Sequence, residues 1–290
     1  MRGHGETRAR DRSGIALLGF LLLTFTVTWS AWLSSVALTK PDGTGFFRLG
    51  GPVFLLGVFA PALVALALTA YGEGRTGVVR LLARIGRWQV ATRWYLFAVG
   101  YMAVTKLLAA LVHRLLTGAW PIFGDTPWPL MFGAILVSTW TQAGEEVGWR
   151  GYALPRLATH VGLGGASVLL GVIWAFWHLP LFLLPGSGST GQSFPIYLLH
   201  VTALSVAMAW LYWKTEGSLL LVMLMHASVN NTTNILPAAL PNAVNPWSLD
   251  GSLVAWVTVA LSWAVAVPLL FGMRRADLGA GPAVFVEDSR

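Results

Sequence analysis

Apolar runs of about 20 residues recur along this chain, and they constrain its fold more than any other feature of the sequence. A helix of that length can cross a bilayer, because it satisfies its own backbone hydrogen bonds without water. Hydrophobic residues make up 56% of the chain and charged residues only 11%, whereas soluble domains contain about 25% charged residues. The sequence therefore predicts an all-α, polytopic membrane protein and excludes an ordinary soluble domain.

Eight transmembrane helices are predicted, with ends that are approximate by several residues. Their spans are roughly 14–39, 50–71, 94–116, 130–156, 164–184, 195–213, 217–236 and 251–273. We expect residues 1–13 to form a cytoplasmic N-terminal tail, residues 14–273 the helical bundle and residues 274–290 a cytoplasmic C-terminal tail. The chain has no cysteine, which excludes disulfides, a thiol nucleophile and cysteine-ligated metals.

Basic residues are distributed unequally between the two sides of the predicted bundle. One side receives both tails, the arginine-rich segment between the second and third spans, Arg150 and Arg156 at the end of the fourth span, and Lys214. The other side receives Lys40, Arg48 and Arg114. The positive-inside rule then predicts a multi-pass protein of the cell membrane with both termini in the cytoplasm. The net charge of +7 is thus a topology signal compatible with anionic lipid, and nucleic acid binding is unsupported.

Few ionisable residues interrupt the predicted spans: Lys106, Glu145, Glu146, His178, His200 and His226. A charged side chain at the centre of a membrane helix costs roughly 2.5–3.5 kcal/mol on insertion scales, so each is a candidate for function. The glutamates, His178 and the pair His226–Asn230 belong to three different spans, yet all lie about 14–20 Å from the cytoplasmic face. We expect these side chains to share one polar pocket.

Helical spacing separates the roles of the two glutamates. Adjacent residues of a helix point about 100° apart, whereas residues four positions apart share a face. Glu146 is therefore expected to pair with Arg150, which leaves Glu145 to face the pocket. Pro180 removes a backbone donor two residues after His178 and so opens that helix locally.

The chemistry that fits these residue types is the addition of water to an amide. A carboxylate and an imidazole can hold and deprotonate a water molecule, and a second imidazole and a carboxamide can stabilise the resulting oxyanion. The sequence contains no evident Ser-His-Asp set and no HExxH motif, so neither a serine triad nor a helical zinc motif is indicated.

Three short segments resemble the motifs of a known protein family. EEVGWR, which begins at Glu145, resembles EExxxR; WAFWH, which ends at His178, resembles FxxxH; and HASVN, which begins at His226, resembles HxxxN. In this order they resemble the CPBP intramembrane proteases, also called the CAAX-protease and bacteriocin-processing, or Abi, family. The resemblance covers about residues 130–235, and Trp174 stands where the family usually has phenylalanine.

The resemblance implies an intramembrane endopeptidase of the glutamic type, acting on a membrane-associated protein or peptide. It implies that Glu145 activates water with His178 as its partner, while His226 and Asn230 stabilise the oxyanion. The catalytic set also includes Glu146, and the supporting residues are Arg150 and Trp174. The expected partners are the lipid bilayer and a protein or peptide substrate.

No cofactor is expected to be required, although Zn²⁺ is an alternative. A zinc site with an open position could be formed by Glu145, His178 and His226. Asparagine is a poor zinc ligand, however, and Asn230 belongs to the same set. The resemblance also favours a metal-free, glutamate-activated water.

A non-catalytic membrane protein is the alternative function: a transporter, or an immunity or scaffold subunit that uses the polar centre for binding. Intramembrane carboxylates and histidines also mark proton relays. A relay would place titratable groups across the whole bilayer, whereas these residues are confined to one half, which favours hydrolysis.

Four further residues have plainer interpretations. Gly144 and Gly148 form a GxxxG pattern that favours close helix packing over catalysis. His200 is expected to be satisfied by a neighbouring helix. Lys106 is expected to line a cavity or pair with a carboxylate, and it is assigned no role.

Overall fold

The structure, a computed structural model, describes residues 2–38, 50–184, 187, 189–237 and 245–277. Within those ranges every regular element is helical, which confirms the all-α prediction. Lys40 and Arg48 lie outside the described residues, as does the part of the predicted C-terminal tail from residue 278 onward.

Ten α-helices, two 3₁₀ turns and one π-helix make up the described fold. The α-helices are α1 Arg2–Ala37, α2 Pro52–Ala83, α3 Thr92–Thr117, α4 Trp128–Thr141, α5 Ala143–Glu146, α6 Leu154–Trp177, α7 Leu179–Leu183, α8 Phe194–Lys214, α9 Leu219–Thr232 and α10 Leu253–Asp277. The 3₁₀ turns are Arg84–Gly86 and Thr233–Ile235, and the π-helix is Val147–Ala153.

Six helical runs in the described part of the chain are long and apolar enough to cross a membrane. One of them, Trp128–Leu183, has 56 residues and would measure about 84 Å as a straight helix, far more than the thickness of a bilayer. This run contains both the predicted fourth and fifth spans. The six runs together with α9 therefore account for the eight predicted spans.

Two glycines break helical runs where the chain must change direction. Gly162, within α6, has φ 70° and ψ 168°, and Gly74, within α2, has φ 66° and ψ −164°. Residues with a Cβ rarely adopt such a left-handed φ. Gly162 thus separates the predicted fourth and fifth spans, and Gly74 separates the second span from the arginine-rich segment after it.

One predicted span differs clearly from the structure. The first and last membrane-length runs, Ser13–Ser35 and Leu253–Arg274, agree with the predicted spans 14–39 and 251–273 to within four residues, although helix α1 itself begins at Arg2 and helix α10 continues to Asp277. Helix α9 has only 14 residues, against a predicted span of 217–236, because Leu236 precedes a proline and adopts an extended conformation.

Helix α8 lies at the centre of the bundle. In its most apolar stretch 67% of the residues are buried, compared with 28% for α1. It packs against α6 on one side and α10 on the other. Gly171 permits the first contact, because a Cβ on it would lie 2.7 Å from the Thr202 Cα. Helix α9 packs against α3 and α4.

Candidate active site

The two glutamates lie at the start of a π-helix, and sequence reasoning did not anticipate this feature. Helix α5 carries Glu145 and Glu146, and the π-helix Val147–Ala153 follows without a break. A π-helix has more residues per turn than an α-helix and is therefore wider. Such segments occur frequently at functional sites. Gly148 lies in it, and a Cβ there would be 2.6 Å from backbone atoms of Pro61. The GxxxG glycines therefore serve close packing against α2, as expected.

Glu146 is the centre of a buried ionic cluster. The Arg150 Nη1 donates to both of its carboxylate oxygens, at 2.9 and 3.1 Å, and both side chains are completely buried. The predicted pair therefore forms. The His226 Nδ1 also lies 2.7 Å from the Glu146 Oε1, a contact that spacing within one helix could not predict, since His226 belongs to α9.

Glu145 points away from that cluster, and its carboxylate is held by Trp174. The Trp174 indole Nε1 donates to the Glu145 Oε2 at 2.8 Å. The face of the same indole lies 4.3 Å from the Arg150 guanidinium carbon. Its ring centroid is 5.2 Å from that of His226 and 5.6 Å from that of His178. Trp174 thus contacts four of the other six candidate site residues: Glu145, Arg150, His178 and His226.

His178 occupies the end of α6, where the helix is interrupted. Helix α6 ends at Trp177, and Pro180 is the second residue of the short helix α7, in agreement with the predicted opening. The His178 Nδ1 lies 2.9 Å from the Trp174 backbone carbonyl oxygen. Because a carbonyl can only accept, the hydrogen is on Nδ1, and the Nε2 of the neutral ring carries a lone pair.

One cavity of about 500 Å³ brings most of the predicted residues together. It is lined by Glu145, Trp174, His178, His226 and Asn230. Glu146 and Arg150 do not line it and lie behind it, where they contact His226 and Trp174. Of the seven predicted site residues, five therefore face one space and two support them from the protein interior.

The side chains of the alternative zinc site are not grouped as a metal centre. In the ranges that the structure describes, no group of three or more His, Asp or Glu side chains is placed to hold a metal ion. His226 directs its Nδ1 to the Glu146 carboxylate, and Glu145 directs one oxygen to the Trp174 indole, which leaves the second nitrogen and the second oxygen available. The metal-free reaction therefore stays a prediction.

The same cavity has lining residues to which sequence reasoning gave no role. These include Lys106, Ser193, Tyr197, His200 and Asp250. His200 has its Nδ1 3.2 Å from the Ser262 Oγ of α10, which confirms that a neighbouring helix satisfies it. Lys106 was expected to line a cavity or pair with a carboxylate, and it lines this cavity.

Comparison with known proteins gives an independent view of the chain. A family model described as type II CAAX prenyl endopeptidase Rce1-like matches residues 125–232, the region that contains all three motifs. A curated relative, the CAAX prenyl protease 2 of Methanococcus maripaludis, is 23% identical over 234 residues, which is 75% of this chain and 83% of the relative. Over this region the chain is thus similar to the CPBP, or CAAX protease, family, in agreement with its helical fold and its three motifs.

Proposed function

We propose that this protein is an intramembrane endopeptidase that hydrolyses a peptide bond of a membrane-associated protein or peptide. The observation that carries the proposal is the shared cavity, in which a carboxylate, two imidazoles and a carboxamide from α5, α6 and α9 face one space. The curated relative is named a protease, which supports hydrolysis over the non-catalytic alternative of a transporter, immunity or scaffold protein.

Glu145 and His178 are the groups that activate water in this proposal. The Trp174 indole engages only one of the Glu145 oxygens, so the other is free to accept a proton from water. The His178 Nε2 can accept a second hydrogen bond from the same water and so orient it. The water oxygen then bonds to the carbonyl carbon, its proton passes to Glu145, and the C=O electron pair moves onto oxygen.

His226 and Asn230 are the groups that stabilise the negative oxygen. The His226 Nδ1 is engaged by Glu146, which leaves Nε2 to donate into the cavity, and the Asn230 amide can donate beside it. This role uses His226 as an imidazolium, which donates from both ring nitrogens: Nδ1 to Glu146, which also pairs with Arg150, and Nε2 to the negative oxygen. Collapse of the intermediate breaks the C–N bond, and the proton held by Glu145 passes to the departing amine.

The decisive test compares substitutions inside and outside the cavity. Purified protein in detergent is incubated with a library of membrane-anchored peptides. The library includes a prenylated CAAX peptide, because the curated relative is named a CAAX prenyl protease. Glu145→Gln and His178→Ala are each expected to reduce cleavage by about 10²–10⁴-fold, the usual contribution of a positioned acid–base group. Glu216→Gln is the matched control, since Glu216 is exposed and remote from the cavity.

Three outcomes would contradict this proposal or parts of it. Cleavage that persists in both cavity variants would remove Glu145 and His178 from the mechanism. Complete loss of activity with a strong chelator, restored by Zn²⁺, would replace the metal-free reaction. An absence of cleavage across the whole library would favour the binding function instead.

A further inference from the structure

Lys106 is a buried cation that the proposed reaction does not use. It lies in the middle of α3, has 2% of its surface exposed, and lines the same cavity as Glu145 and His178. Its Nζ donates to the Leu236 backbone carbonyl at 3.0 Å. An ammonium group has three hydrogens to donate, so this bond leaves donor capacity directed at the cavity.

No acidic side chain in the described part of the chain neutralises Lys106. Neither buried carboxylate of the site forms an ion pair with Lys106: Glu146 bonds to Arg150, and Glu145 accepts from Trp174. Asp250 lines the cavity too, but it is exposed and makes no ion pair with Lys106. A buried charge without a counter-ion is costly, and this cost indicates that a negatively charged group completes the site.

The surroundings of the cavity are suited to binding such a group tightly. Several apolar side chains form its walls, among them Ile196, Val201, Leu204, Val229 and Val259. Apolar walls lower the local dielectric constant and strengthen an ammonium–carboxylate contact. His200 also lines this space, and a second ring nitrogen remains beside the one that contacts Ser262.

We propose that Lys106 forms a subsite for a carboxylate of the substrate, within the cavity in which the peptide bond is cut. This inference rests on the proposed peptidase function, since it identifies a chemical feature of the same substrate. A cavity of about 500 Å³ holds only a short piece of peptide, because an extended chain advances about 3.3–3.6 Å per residue. The carboxylate must therefore lie within a few residues of the cleaved bond.

Two sources of this carboxylate are chemically equivalent: the free C-terminus of the substrate and an acidic side chain close to the bond. The first predicts release of a short C-terminal peptide, and the second predicts cleavage beside Asp or Glu. A plain structural role for Lys106, as a donor to the Leu236 carbonyl, would give neither preference. Suitable peptides separate these possibilities.

Binding is measured by calorimetry with three short probes. They are dodecanoyl-Ala-Val-Leu as the free acid, the same peptide as its C-terminal amide, and dodecanoyl-Ala-Glu-Leu amide. The wild type is expected to bind at least one of the two carboxylate probes about tenfold more tightly, or tighter still, than the neutral amide. A hydrogen bond to a charged group contributes about this much to affinity. The probe that gains affinity identifies the source.

Substitutions of Lys106 then assign the preference to this side chain. Lys106→Gln keeps a donor for Leu236 but removes the charge, and it is expected to reduce the acid-to-amide affinity ratio to near one. Lys106→Arg keeps the charge and is expected to retain the preference. Arg114→Gln, an exposed cation on the same helix, is the matched control. Thermal unfolding in detergent verifies that each variant is folded.

Three results would overturn the subsite. The first is an equal acid-to-amide affinity ratio in the wild type and Lys106→Gln, and the second is equal weakening of all three probes by that substitution. The third is no binding of either carboxylate probe by the wild type. Because binding needs no catalysis, the preference can be observed even if hydrolysis fails. Conversely, hydrolysis without any carboxylate preference would reject the subsite and leave the proposed function intact.

Discussion

At the scale of single residues, Trp174 shows how one substitution within a motif changes its chemistry. The FxxxH resemblance places an aromatic ring at this position, and a phenylalanine would supply packing alone. The indole adds an N–H that holds the Glu145 carboxylate at 2.8 Å and a face for the Arg150 guanidinium. Trp174 therefore links the two glutamates without acting on the substrate itself.

Replacing Trp174 with phenylalanine tests this link, because the ring remains while the donor is lost. We expect kcat/KM on a cleaved peptide to fall about tenfold, the value of one hydrogen bond to a charged group. The loss should appear in kcat rather than KM, since the bond orients the catalytic carboxylate. Steady-state kinetics with a fluorogenic peptide provides the measurement.

Trp263→Phe is the matched control for that substitution. Its indole also donates to an oxygen, the Leu199 carbonyl at 3.0 Å, but it does not line the cavity. This variant should retain the wild-type kcat/KM. Equal kinetics for the Trp174 variant and wild type would show that the indole N–H does not position Glu145.

At the scale of elements, the contact between the π-helix and α2 fixes the backbone that carries the glutamates. Gly148 has Pro61 as its direct neighbour across this interface, and an added Cβ would be 2.6 Å from Pro61 backbone atoms. Backbone atoms cannot yield as the end of a flexible side chain can. Helices approach this closely in membranes only where small residues face each other.

Gly148→Ala is therefore expected to destabilise the fold by about 1–3 kcal/mol through overpacking. Unfolding in detergent with increasing denaturant measures the change. Gly133→Ala provides the comparison in the same helical run, because no atom lies within 4 Å of its added Cβ. The Gly133→Ala protein should be as stable as the wild type or more stable by about 0.5–1 kcal/mol, because alanine loses less conformational entropy in a helix than glycine does. Similar losses in both variants would contradict the packing argument.

At the scale of the whole molecule, the arginine-rich segments gather at one end of the bundle. Arg156 forms an ion pair with Glu73 at 2.9 Å, and the Ser218 hydroxyl donates to the Arg87 carbonyl at 2.6 Å. These contacts join three of the segments that the positive-inside rule assigns to the cytoplasm. Which end faces the cytoplasm stays a prediction from charge.

The cysteine-free sequence allows a direct test of that orientation. Lys214→Cys and Arg114→Cys each introduce one exposed thiol, at the C-terminal ends of α8 and α3. A membrane-impermeant maleimide applied to intact cells should label the cysteine at position 114, and label position 214 only after permeabilisation. The reverse pattern would invert the topology.

The sequence by itself determined the class of fold and the candidate residues of the site. Repeated apolar runs of about 20 residues leave few alternatives to a helical bundle in a membrane. The free-energy cost of burying a charge in the membrane singles out residues such as Glu145 and His178. The pair Glu146–Arg150 also followed from sequence, because residues four apart on one helix are neighbours whatever the rest of the chain does.

Only the tertiary structure decided which residues from different helices meet. The contacts of His226 with Glu146 and of Trp174 with Glu145 join residues 80 and 29 positions apart, and no local pattern encodes such a distance. The close contact of the π-helix residue Gly148 with Pro61 of α2 likewise depends on tertiary packing. The position of Lys106 at the cavity depends on how α3 packs against α9, because periodicity gives a residue its helix face but not the neighbour that this face meets.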